Sequence, residues 1–459
     1  MVMDVNDDIS TLKNKLARLS SEIAAARGTE CGDTLHDAVK TAEEIIKKDP
    51  GDGAVYSDLG YFYFLMRNYS HAFLILSKAL SLSGNDVKTI NRLAVLKNSI
   101  GDFIQSQKLS EKALEIESGN TEAKCNLAIS MRYLNHVDAA TRIIKELLSV
   151  DPNNPMAHYT MAQIHLGNKN FEAGFKEMEW RIKAFPSIRR NILPDIPFWK
   201  GEDAADKTLI VNPEREVDML QFARFVPVAL KKVKNIILRV QSTLVNLMAE
   251  NMPMGVSVVD CQKQVAGDMQ IMIMSLPLAL KTTPDTLPEL VIRPNQKEIE
   301  KIKYLFDGKV NKVGFCISRT RESITGSFNE NEKRQAFEHA LKEAKNRHYT
   351  LYSLNSEEYN LENIVDLSSH TYQYDKAAAV IAELDLIISA DNGISHLAAA
   401  MNKETWVVTK EMAGWRYVDG KQKGVPLWFP NVKVLKTVGG KSLSDFLLDI
   451  NQRVAKSFR

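Results

Sequence analysis

A polar turn between an apolar segment and a run of small residues is the stretch of this sequence best suited to chemistry. It supplies six candidate binding residues: Asp391, Asn392, Gly393, Ile394, Ser395 and His396. A strand that ends in such a turn and continues as a helix exposes unpaired backbone N–H groups and the positive end of the helix dipole, which together suit a diphosphate. His396, close to the helix start, would add a hydrogen bond or a charge. Turns of this kind also occur in α/β proteins without a ligand, so a purely structural role is the alternative.

Cationic and aromatic residues extend this candidate site. Arg319 and Arg321 follow the predicted strand 312–317 and could face the same phosphates, although a solvated loop would have the same sequence. Three residues of a later loop are candidates for the rim of the pocket: Lys410, Trp415 and Arg416. A metal held between phosphates needs carboxylate ligands, commonly an Asp-x-Asp pair. The sequence has no such pair, so we expect no metal site.

The elements that must position these residues alternate along the second half of the chain. Beyond Pro194 and Pro197, short β-branched runs alternate with helical stretches. The predicted strands cover residues 208–212, 235–240, 312–317, 349–354, 364–367, 385–389 and 405–409. This alternation is typical of parallel sheets covered by helices, whose ligands bind beyond the carboxyl ends of the strands. We expect two such lobes, 195–292 and 306–459, joined near residues 290–305.

The first half of the chain is repetitive, with a period of 34 residues. Two sets of residues share a phase: Leu59, Leu93, Leu127 and Met161, and next to them Gly60, Ala94, Ala128 and Ala162. Small residues at fixed positions let paired antiparallel helices pack closely, as in a helical solenoid. We expect a repeat domain at 1–187, with four repeats from about Gly53 to Pro186, a partial pair before them and a capping helix at 9–27. Such a solenoid commonly holds a peptide or partner protein; repeats that only dimerise the protein or stabilise its other half are the alternative.

The length, composition and charge of the chain limit the classes of protein to which it can belong. A chain of 459 residues with 44% apolar and 25% charged side chains is long enough for two or three globular domains. Its net charge of +2 argues against a nucleic-acid-binding protein. The longest apolar stretches, 271–280 and 377–389, are too short or too interrupted by charge to cross a membrane, and the acidic start lacks the features of a secretory signal, so we expect a cytoplasmic protein. The four cysteines are too scattered for a disulfide framework or a zinc site: Cys31, Cys125, Cys261 and Cys316.

The repeats resemble the tetratricopeptide repeat. In the first complete copy, seven residues fall where that family has its signature positions: Tyr56, Leu59, Gly60, Tyr63, Ala72, Leu76 and Ala79. Later copies are looser, since Ser106 and Gly174 take the place of Ala72 and Ala140. The resemblance implies an α-solenoid and a protein or peptide partner.

The second half resembles the family 9 glycosyltransferases, which include the bacterial heptosyltransferases. The residues that carry this resemblance lie in 391–398, 406–408, 415–416 and 426–430, and upstream in 198–201, 221–225 and 274–280. With the repeats, the chain is similar from about residue 33 to 440 to repeat proteins that carry a lobe of this type. The resemblance implies a GT-B fold, in which two Rossmann-like lobes enclose the active site. The predicted fold class is therefore an α-solenoid followed by α/β.

The resemblance also implies a mechanism. A nucleotide-sugar donor would bind mainly to the lobe 306–459, the acceptor would approach from the lobe 195–292, and no metal or other cofactor would be needed. Asp218 falls where the family has the aspartate that deprotonates the acceptor. The glycines of that family turn are replaced by Glu216 and Val217, which do not readily adopt positive φ. The acceptor lobe has therefore been rebuilt for another substrate or has lost activity, and Asp218 could equally be a structural residue at a helix start.

These observations favour a metal-independent glycosyltransferase that uses a nucleotide sugar, with the repeats recruiting the acceptor. A protein acceptor suits a peptide-holding groove, as in bacterial glycosylation of flagellins or adhesins, and a lipopolysaccharide or other glycan is the variant within the class. An inactive scaffold that keeps the fold is the second hypothesis, favoured by the missing glycines. A chaperone or adaptor that uses the repeats alone is the third. Association of the chain into a homo-oligomer stays open.

Overall fold

The computed structural model describes residues 9–25, 32–289, 291–316, 349–355, 364–409, 414–420, 423–436 and 443–457. These residues form two compact units. The first comprises Met1–Met161 and Trp180–Arg190, and the second comprises Ala162–Glu179 and Asn191–Arg459.

Helices occupy the chain up to Arg189. In chain order they are α1 (Ile9–Ala25), α2 (Gly32–Lys48), α3 (Gly53–Leu65), α4 (Tyr69–Ser83), α5 (Val87–Ser99), α6 (Phe103–Ile116), α7 (Thr121–Tyr133), α8 (Val137–Val150), α9 (Pro155–Gly167), α10 (Phe171–Met178), α11 (Arg181–Ala184) and α12 (Pro186–Arg189). The opening helices of the four repeats, α3, α5, α7 and α9, start 34 residues apart, and so do the second helices α4, α6, α8 and α10. The predicted period is therefore confirmed. Ahead of the repeats, α1 and α2 share one buried cluster with α3, which includes Leu16, Ala42 and Leu59.

Side-chain caps set the starts of these helices. The residue before each opening helix accepts a hydrogen bond from a backbone amide three residues on: Asp52 from Val55 (3.1 Å), Asp86 from Thr89 (2.9 Å), Asn120 from Ala123 (2.9 Å) and Asn154 from Ala157 (3.0 Å). The second helices have the same cap at Asn68, Asp102 and Asn170, whereas the His136 side chain makes none. Because these caps satisfy amides that have no partner inside the helix, their recurrence fixes where each helix begins.

The small residues of the repeats allow close packing of the paired helices, as predicted. A Cβ on Gly60 of α3 would lie only 2.6 Å from Cγ of Leu76 of α4. At the same phase of the next two repeats, Ala94 and Ala128 are fully buried. Interiors are packed closely enough that a larger side chain at this position would force the helices apart.

The second unit contains two parallel sheets. The first has the strands β1 (Ala204–Asn212), β2 (Val233–Val240), β3 (Val256–Asp260) and β4 (Met269–Met272), in the order β3-β2-β1-β4. Its helices are α13 (Glu216–Phe222), α14 (Val226–Leu230), α15 (Val245–Asn251) and α16 (Leu276–Ala279), and α17 (Gln296–Ile302) follows. The central strand β1 pairs with β2 and β4 through the fully buried residues Leu209, Ile210 and Val211.

The second sheet has six parallel strands. They are β5 (Lys312–Cys316), β6 (Thr350–Ser353), β7 (Ile364–Asp366), β8 (Leu386–Ser389), β9 (Thr405–Thr409) and β10 (Val432–Lys436), in the order β10-β9-β8-β5-β6-β7. Its helices are α18 (Tyr374–Glu383), α19 (Gly393–Ala400) and α20 (Leu443–Ser457). The order is that of a doubly wound Rossmann sheet, in which the direction of strand addition reverses between β5 and β8. In such sheets the crevice beyond the carboxyl ends of those two strands is where ligands bind.

The predicted strands agree with those observed wherever the structure describes them. Three strands were not predicted: β3, β4 and β10. Single 3₁₀ turns lie at Ala223–Phe225, Ser242–Leu244, Ile273–Ser275, Pro284–Thr286, Lys303–Phe306, Ser368–His370 and Trp415–Tyr417. The fold of this part of the chain is therefore α/β and Rossmann-like, as expected.

A cluster of aromatic rings joins α10 to the two sheets. Phe171 stacks on Trp428 with ring centroids 5.3 Å apart. Phe175 packs edge-on against both Trp415 and Trp428. From α13 of the first sheet, Phe222 contacts the same two tryptophans. Helix α10 therefore keeps the spacing of the repeats and packs in the core of the second unit.

Candidate functional site

The predicted binding turn 391–396 lies at the switch point of the second sheet, between β8 and α19. Asn392 caps the helix, because its Oδ1 accepts hydrogen bonds from the amides of Ile394 (2.9 Å) and Ser395 (3.2 Å). In return, Ser395 Oγ accepts one from the amide of Asn392 (3.0 Å). Three backbone amides of the turn predicted to face a ligand are therefore occupied: those of Asn392, Ile394 and Ser395. The Gly393 amide has no hydrogen-bond partner within the described part of the chain.

Further hydrogen bonds fix this turn to β5, the neighbouring strand across the switch point. Asn392 Nδ2 donates to the carbonyl oxygen of Cys316, the last residue of β5 (3.2 Å), and Ser389 Oγ lies 2.9 Å from the same oxygen. Ser389 is fully buried, and Asn392 is buried too. The crevice beyond β5 and β8 thus rests on a neutral, well-bonded polar network, which makes the turn rigid.

Asp391 and His396 interact across the turn. His396 Nε2 lies 2.8 Å from Asp391 Oδ1, and the Tyr417 hydroxyl donates to the same oxygen at 2.8 Å. His396 is 2% exposed and lies edge-on to the ring of Phe429. Its Nδ1 has no protein partner among the described residues. Burial and the charge of Asp391 raise the pKa of Tyr417, which stays a neutral donor. The aspartate therefore fixes the orientation of the imidazole ring.

Tyr374 of α18 connects this turn to the first sheet. Its hydroxyl lies so close to Gly393 that a Cβ on that residue would be 2.0 Å away, so glycine is required there by space. The same hydroxyl donates to Oε2 of Glu216, the first residue of α13 (3.2 Å), and Thr243 donates to the other oxygen, Oε1 (2.5 Å). Burial and the nearby Glu216 carboxylate raise the pKa of Tyr374, so it is protonated at any physiological pH. Glu216 itself is half-buried.

Asp218, the predicted base, lies two residues further along α13 and is 1% exposed. Its carboxylate accepts four hydrogen bonds: from the amide (3.3 Å), Nε (2.8 Å) and Nη2 (2.9 Å) of Arg215, and from Nη2 of Arg416 (2.6 Å). An ionised carboxylate offers about four acceptor sites, so these bonds fill them. Burial by itself would raise the pKa of Asp218, but the charges of Arg215 and Arg416 outweigh it and lower the pKa to about 2.

Two residues predicted for the pocket rim, Trp415 and Arg416, lie in a 3₁₀ turn after β9. Arg416 Nε donates to Oε1 of Gln221 in α13 (2.7 Å) while its Nη2 reaches Asp218. Its guanidinium carbon lies 4.5 Å from the centroid of the Trp415 ring. Trp415 is buried in the aromatic cluster. This turn therefore ties the loops of the second sheet to the first helix of the other sheet.

The predicted site residues thus fall into two groups. Asp218 and Arg416 are in direct contact, and the residues of the turn 391–396 form a second group. The contact between Glu216 and Tyr374 lies between the two groups. Three predicted residues lie outside the described residues: Arg319, Arg321 and Lys410. Five participants were not singled out from the sequence: Arg215, Glu216, Gln221, Tyr374 and Tyr417.

The described residues contain no group of three His, Cys, Asp or Glu side chains placed to hold a metal ion. In the same parts of the chain, no helix is long and apolar enough to span a membrane. The described charged groups that bond from one sheet to the other include Glu216, Asp218 and Arg416.

A comparison with family models supports the assignment of this region. Residues 342–407 match glycosyltransferase family 9, the heptosyltransferases. The matched segment contains β8, α19 and the whole turn 391–396. The resemblance inferred from the sequence is therefore confirmed for this segment, which includes β8 and the turn that follows it.

Other comparisons find one curated relative and several TPR proteins of known structure. The BBSome complex member BBS4 of Xenopus tropicalis is 21% identical over 150 residues, which are 32% of this chain and 29% of that protein. The solved structure of YrrB, described as a TPR protein with an unusual peptide-binding site, is 18% identical with a TM-score of 0.30 and covers 39% of this chain and 87% of that one. TTC0263, a TPR protein of Thermus thermophilus, is 12% identical with a TM-score of 0.32 and covers 38% and 96%. The chain thus spans less than a third of the curated relative it matches.

Proposed function

We propose that this protein is a glycosyltransferase of the GT-B type, which transfers a sugar from a nucleotide-sugar donor to an acceptor without a metal ion. The observation that carries the proposal is the turn 391–396, which lies at the switch point of a Rossmann-like sheet within the segment that matches glycosyltransferase family 9. Ligands of doubly wound sheets bind at this place. A glycosyltransferase also needs a carboxylate on the acceptor side, and α13 carries two in its first turn.

The donor diphosphate would lie against the start of α19. Among the described residues, the Gly393 amide is the helix-start donor that has no partner, and the helix dipole adds positive potential there. Asn392, Ile394 and Ser395 would then act by holding the turn in shape, because their polar groups bond one another. Arg319 and Arg321 remain the predicted cations for charge that develops on the leaving group.

His396 would belong to the donor pocket as a residue that responds to ligand binding. Its imidazole is held by Asp391 on one side, and its other nitrogen has no protein partner among the described residues. A buried polar atom without a partner is costly. A donor that offers an acceptor to Nδ1, directly or through a water molecule, would remove that cost. Lys410, Trp415 and Arg416 would border the same pocket.

The acceptor is proposed to be a protein or peptide recruited by the repeats. Helical solenoids with paired, closely packed helices present long surfaces for partner chains. The reaction would then be a protein glycosylation, with the bacterial cytoplasm as the proposed setting. A glycan or lipid acceptor would use the first sheet without needing the repeats.

A catalytically inactive scaffold is the second candidate function, and one observation favours it. The Asp218 carboxylate, at the position predicted for the base, is filled by hydrogen bonds from Arg215 and Arg416. Such a protein could still bind a nucleotide sugar at the second sheet. Binding and turnover therefore have to be measured separately.

The test of donor binding is thermal unfolding in the presence of nucleotide sugars. The panel is UDP-N-acetylglucosamine, UDP-glucose, GDP-mannose and ADP-glucose, each with its free nucleoside diphosphate. A ligand at one hundred times its Kd stabilises the folded state by about 2.7 kcal/mol. We expect one member to raise the Tm of the wild type, less so for His396→Ala and undiminished for His36→Ala, an exposed histidine of α2. A panel without any rise would contradict the proposed donor site.

A further inference from the structure

Two carboxylates in the first turn of α13 have opposite surroundings. Asp218 is 1% exposed, and four N–H groups of two arginines occupy its oxygens. Glu216 is half-buried and, within the described residues, accepts two hydrogen bonds, both from neutral hydroxyls: one from Thr243 and one from Tyr374. A carboxylate has about four acceptor sites, so Glu216 keeps room for a further donor and Asp218 does not.

Glu216 also lies close to the second sheet. The Tyr374 hydroxyl bonds to Glu216 and packs directly against Gly393, which places this carboxylate one side chain away from the start of α19. In the part of the chain that the structure describes, the Gly393 amide at that helix start has no hydrogen-bond partner. Glu216 belongs to the switch point of the first sheet and Gly393 to that of the second. The Glu216 carboxylate therefore lies close to the place proposed for the donor.

We propose that Glu216 is the general base that activates the acceptor, and that Asp218 instead holds the loops of the two sheets together through Arg416. This inference rests on the proposed function. In the step, Glu216 takes the proton of the acceptor hydroxyl as its oxygen forms a bond to the anomeric carbon of the sugar. The bond from that carbon to the diphosphate oxygen breaks, and its electron pair leaves with the nucleoside diphosphate. Water can replace the acceptor hydroxyl, which gives slow hydrolysis of the donor.

The surroundings of Glu216 suit this task. A base must lie within hydrogen-bond reach of the proton that it removes, and its carboxylate must be held in one orientation. Thr243, after β2, and Tyr374, at the start of α18, hold one oxygen each, from opposite sheets. Asp218, in contrast, would have to release an arginine before it could accept a substrate proton, and its low pKa of about 2 makes it a weak base.

The test compares Glu216→Gln with Asp218→Asn in the full-length protein. The readouts are release of nucleoside diphosphate from each nucleotide sugar of the panel, with water as the acceptor, and the thermal shift with the same compounds. General base catalysis contributes about 10²–10⁴-fold, so we expect Glu216→Gln to lower kcat by that factor while the thermal shift and KM for the donor stay near wild type. Glu300→Gln, on the exposed face of α17, is the matched control and should turn over normally.

The outcomes separate the inference from the proposed function. Loss of turnover with retained donor binding in Glu216→Gln supports the base. Turnover of Glu216→Gln within about threefold of wild type would overturn the assignment of Glu216 as the base and leave the glycosyltransferase proposal standing. The same holds if Asp218→Asn folds and binds donor but loses turnover by the factor expected for a lost base. If Asp218→Asn does not fold, Glu216→Gln decides alone. A wild type that neither binds nor hydrolyses any donor would overturn the proposed function, and the base with it.

Discussion

The turns after β1 and after β8 occupy equivalent places in two parallel sheets, yet they are built from different chemistry. Each joins the end of a central strand to a short helix at a switch point. After β8, the neutral side chains of Asn392 and Ser395 cap the helix and bond within their own sheet. After β1, the charged Asp218 side chain accepts from the backbone amide and the guanidinium of Arg215 at the helix start, and it also bonds to Arg416 from the other sheet.

The difference separates two tasks that one topology can serve. The neutral turn leaves the Gly393 amide without a partner among the residues that the structure describes, which suits a site that must stay open for a ligand. In the charged turn, Arg215 and Arg416 occupy the Asp218 carboxylate, which suits a contact that holds loops together. Substitutions in the two turns should therefore differ in their main effect. Those in the charged turn should lower stability, and those in the neutral turn should change the response to ligands.

The largest effect is expected at the charged turn. Asp218→Ala removes the partner of Arg416, whose guanidinium would stay buried without its counter-charge. Breaking a buried ion pair by removing one member costs about 3–5 kcal/mol, because the remaining charge is uncompensated. Urea unfolding at neutral pH measures this loss. The matched control is Asp203→Ala, whose side chain is 84% exposed and pairs with Lys232 at 3.0 Å, so its removal should cost far less. Equal losses for the two variants would show that the buried pair of Asp218 and Arg416 contributes no more than a surface pair.

The same pair predicts a pH dependence. The pKa of Asp218 is lowered from an ordinary 3.8 to about 2, so the ionised form is favoured by folding. Its stabilising contribution is complete above pH 4 and is lost as the pH falls from about 4 towards 2, by about 2 kcal/mol in all. The difference in unfolding free energy between wild type and Asp218→Asn should therefore shrink over this interval, while groups common to both proteins cancel. A difference that stays constant from pH 5 to 2 would contradict the lowered pKa.

At the neutral turn, Gly393→Ala should cost about 1–3 kcal/mol, because its Cβ would come within 2.0 Å of the Tyr374 hydroxyl. Tyr374→Phe in the same chain should recover part of that loss, since the closest atom is removed. Gly119→Ala is the matched control: a Cβ there meets nothing within 4 Å, and its effect should lie within about 0.5 kcal/mol. Thermal and urea unfolding check all three. No loss for Gly393→Ala would show that Tyr374 does not pack against the turn.

The smallest effect is expected from the helix cap of the neutral turn. Asn392→Ala frees the amides of Ile394 and Ser395 and should cost about 0.5–2 kcal/mol. Asn120→Ala, at a repeat helix with a similar cap, should cost a similar amount. The two variants should differ in donor response, because only Asn392 shapes the proposed phosphate site. An unchanged thermal shift for Asn392→Ala with every nucleotide sugar would contradict that distinction.

The repeats and most strands were predictable because their signals are local. The 34-residue period combines small residues where helices touch with side chains that cap helix starts, and each acts over a few residues. The strands β3 and β4 were missed for physical reasons: β3 is a partly exposed edge strand, and β4 consists of Met-Gln-Ile-Met, with one β-branched residue. For β10 the alternation in Val-Lys-Val-Leu-Lys was a usable signal.

The candidate site was only half predictable, because its decisive contacts join distant parts of the chain. The turn 391–396 and Asp218 were identified from local sequence, but Asp218 and Arg416 are 198 residues apart and Glu216 and Tyr374 are 158 apart. Until the relative placement of the two sheets is known, nothing in the sequence indicates that Arg416 bonds to the Asp218 carboxylate while Glu216 keeps acceptor sites free. The replacement of glycine by Glu216 was visible in the sequence as a departure from the family turn, and the contact with Tyr374 gives that departure a physical meaning.

The most direct test of the proposed glycosyltransferase activity uses the purified wild-type protein. Chromatography measures the nucleoside diphosphate that it releases from nucleotide sugars. We predict release from one member of the panel above the uncatalysed rate, without added metal, and its loss in Glu216→Gln with donor binding retained. Absence of release from every member, together with a donor-induced thermal shift, would mean that the chain binds a nucleotide sugar without transferring it. That result would contradict the glycosyltransferase proposal and favour the scaffold.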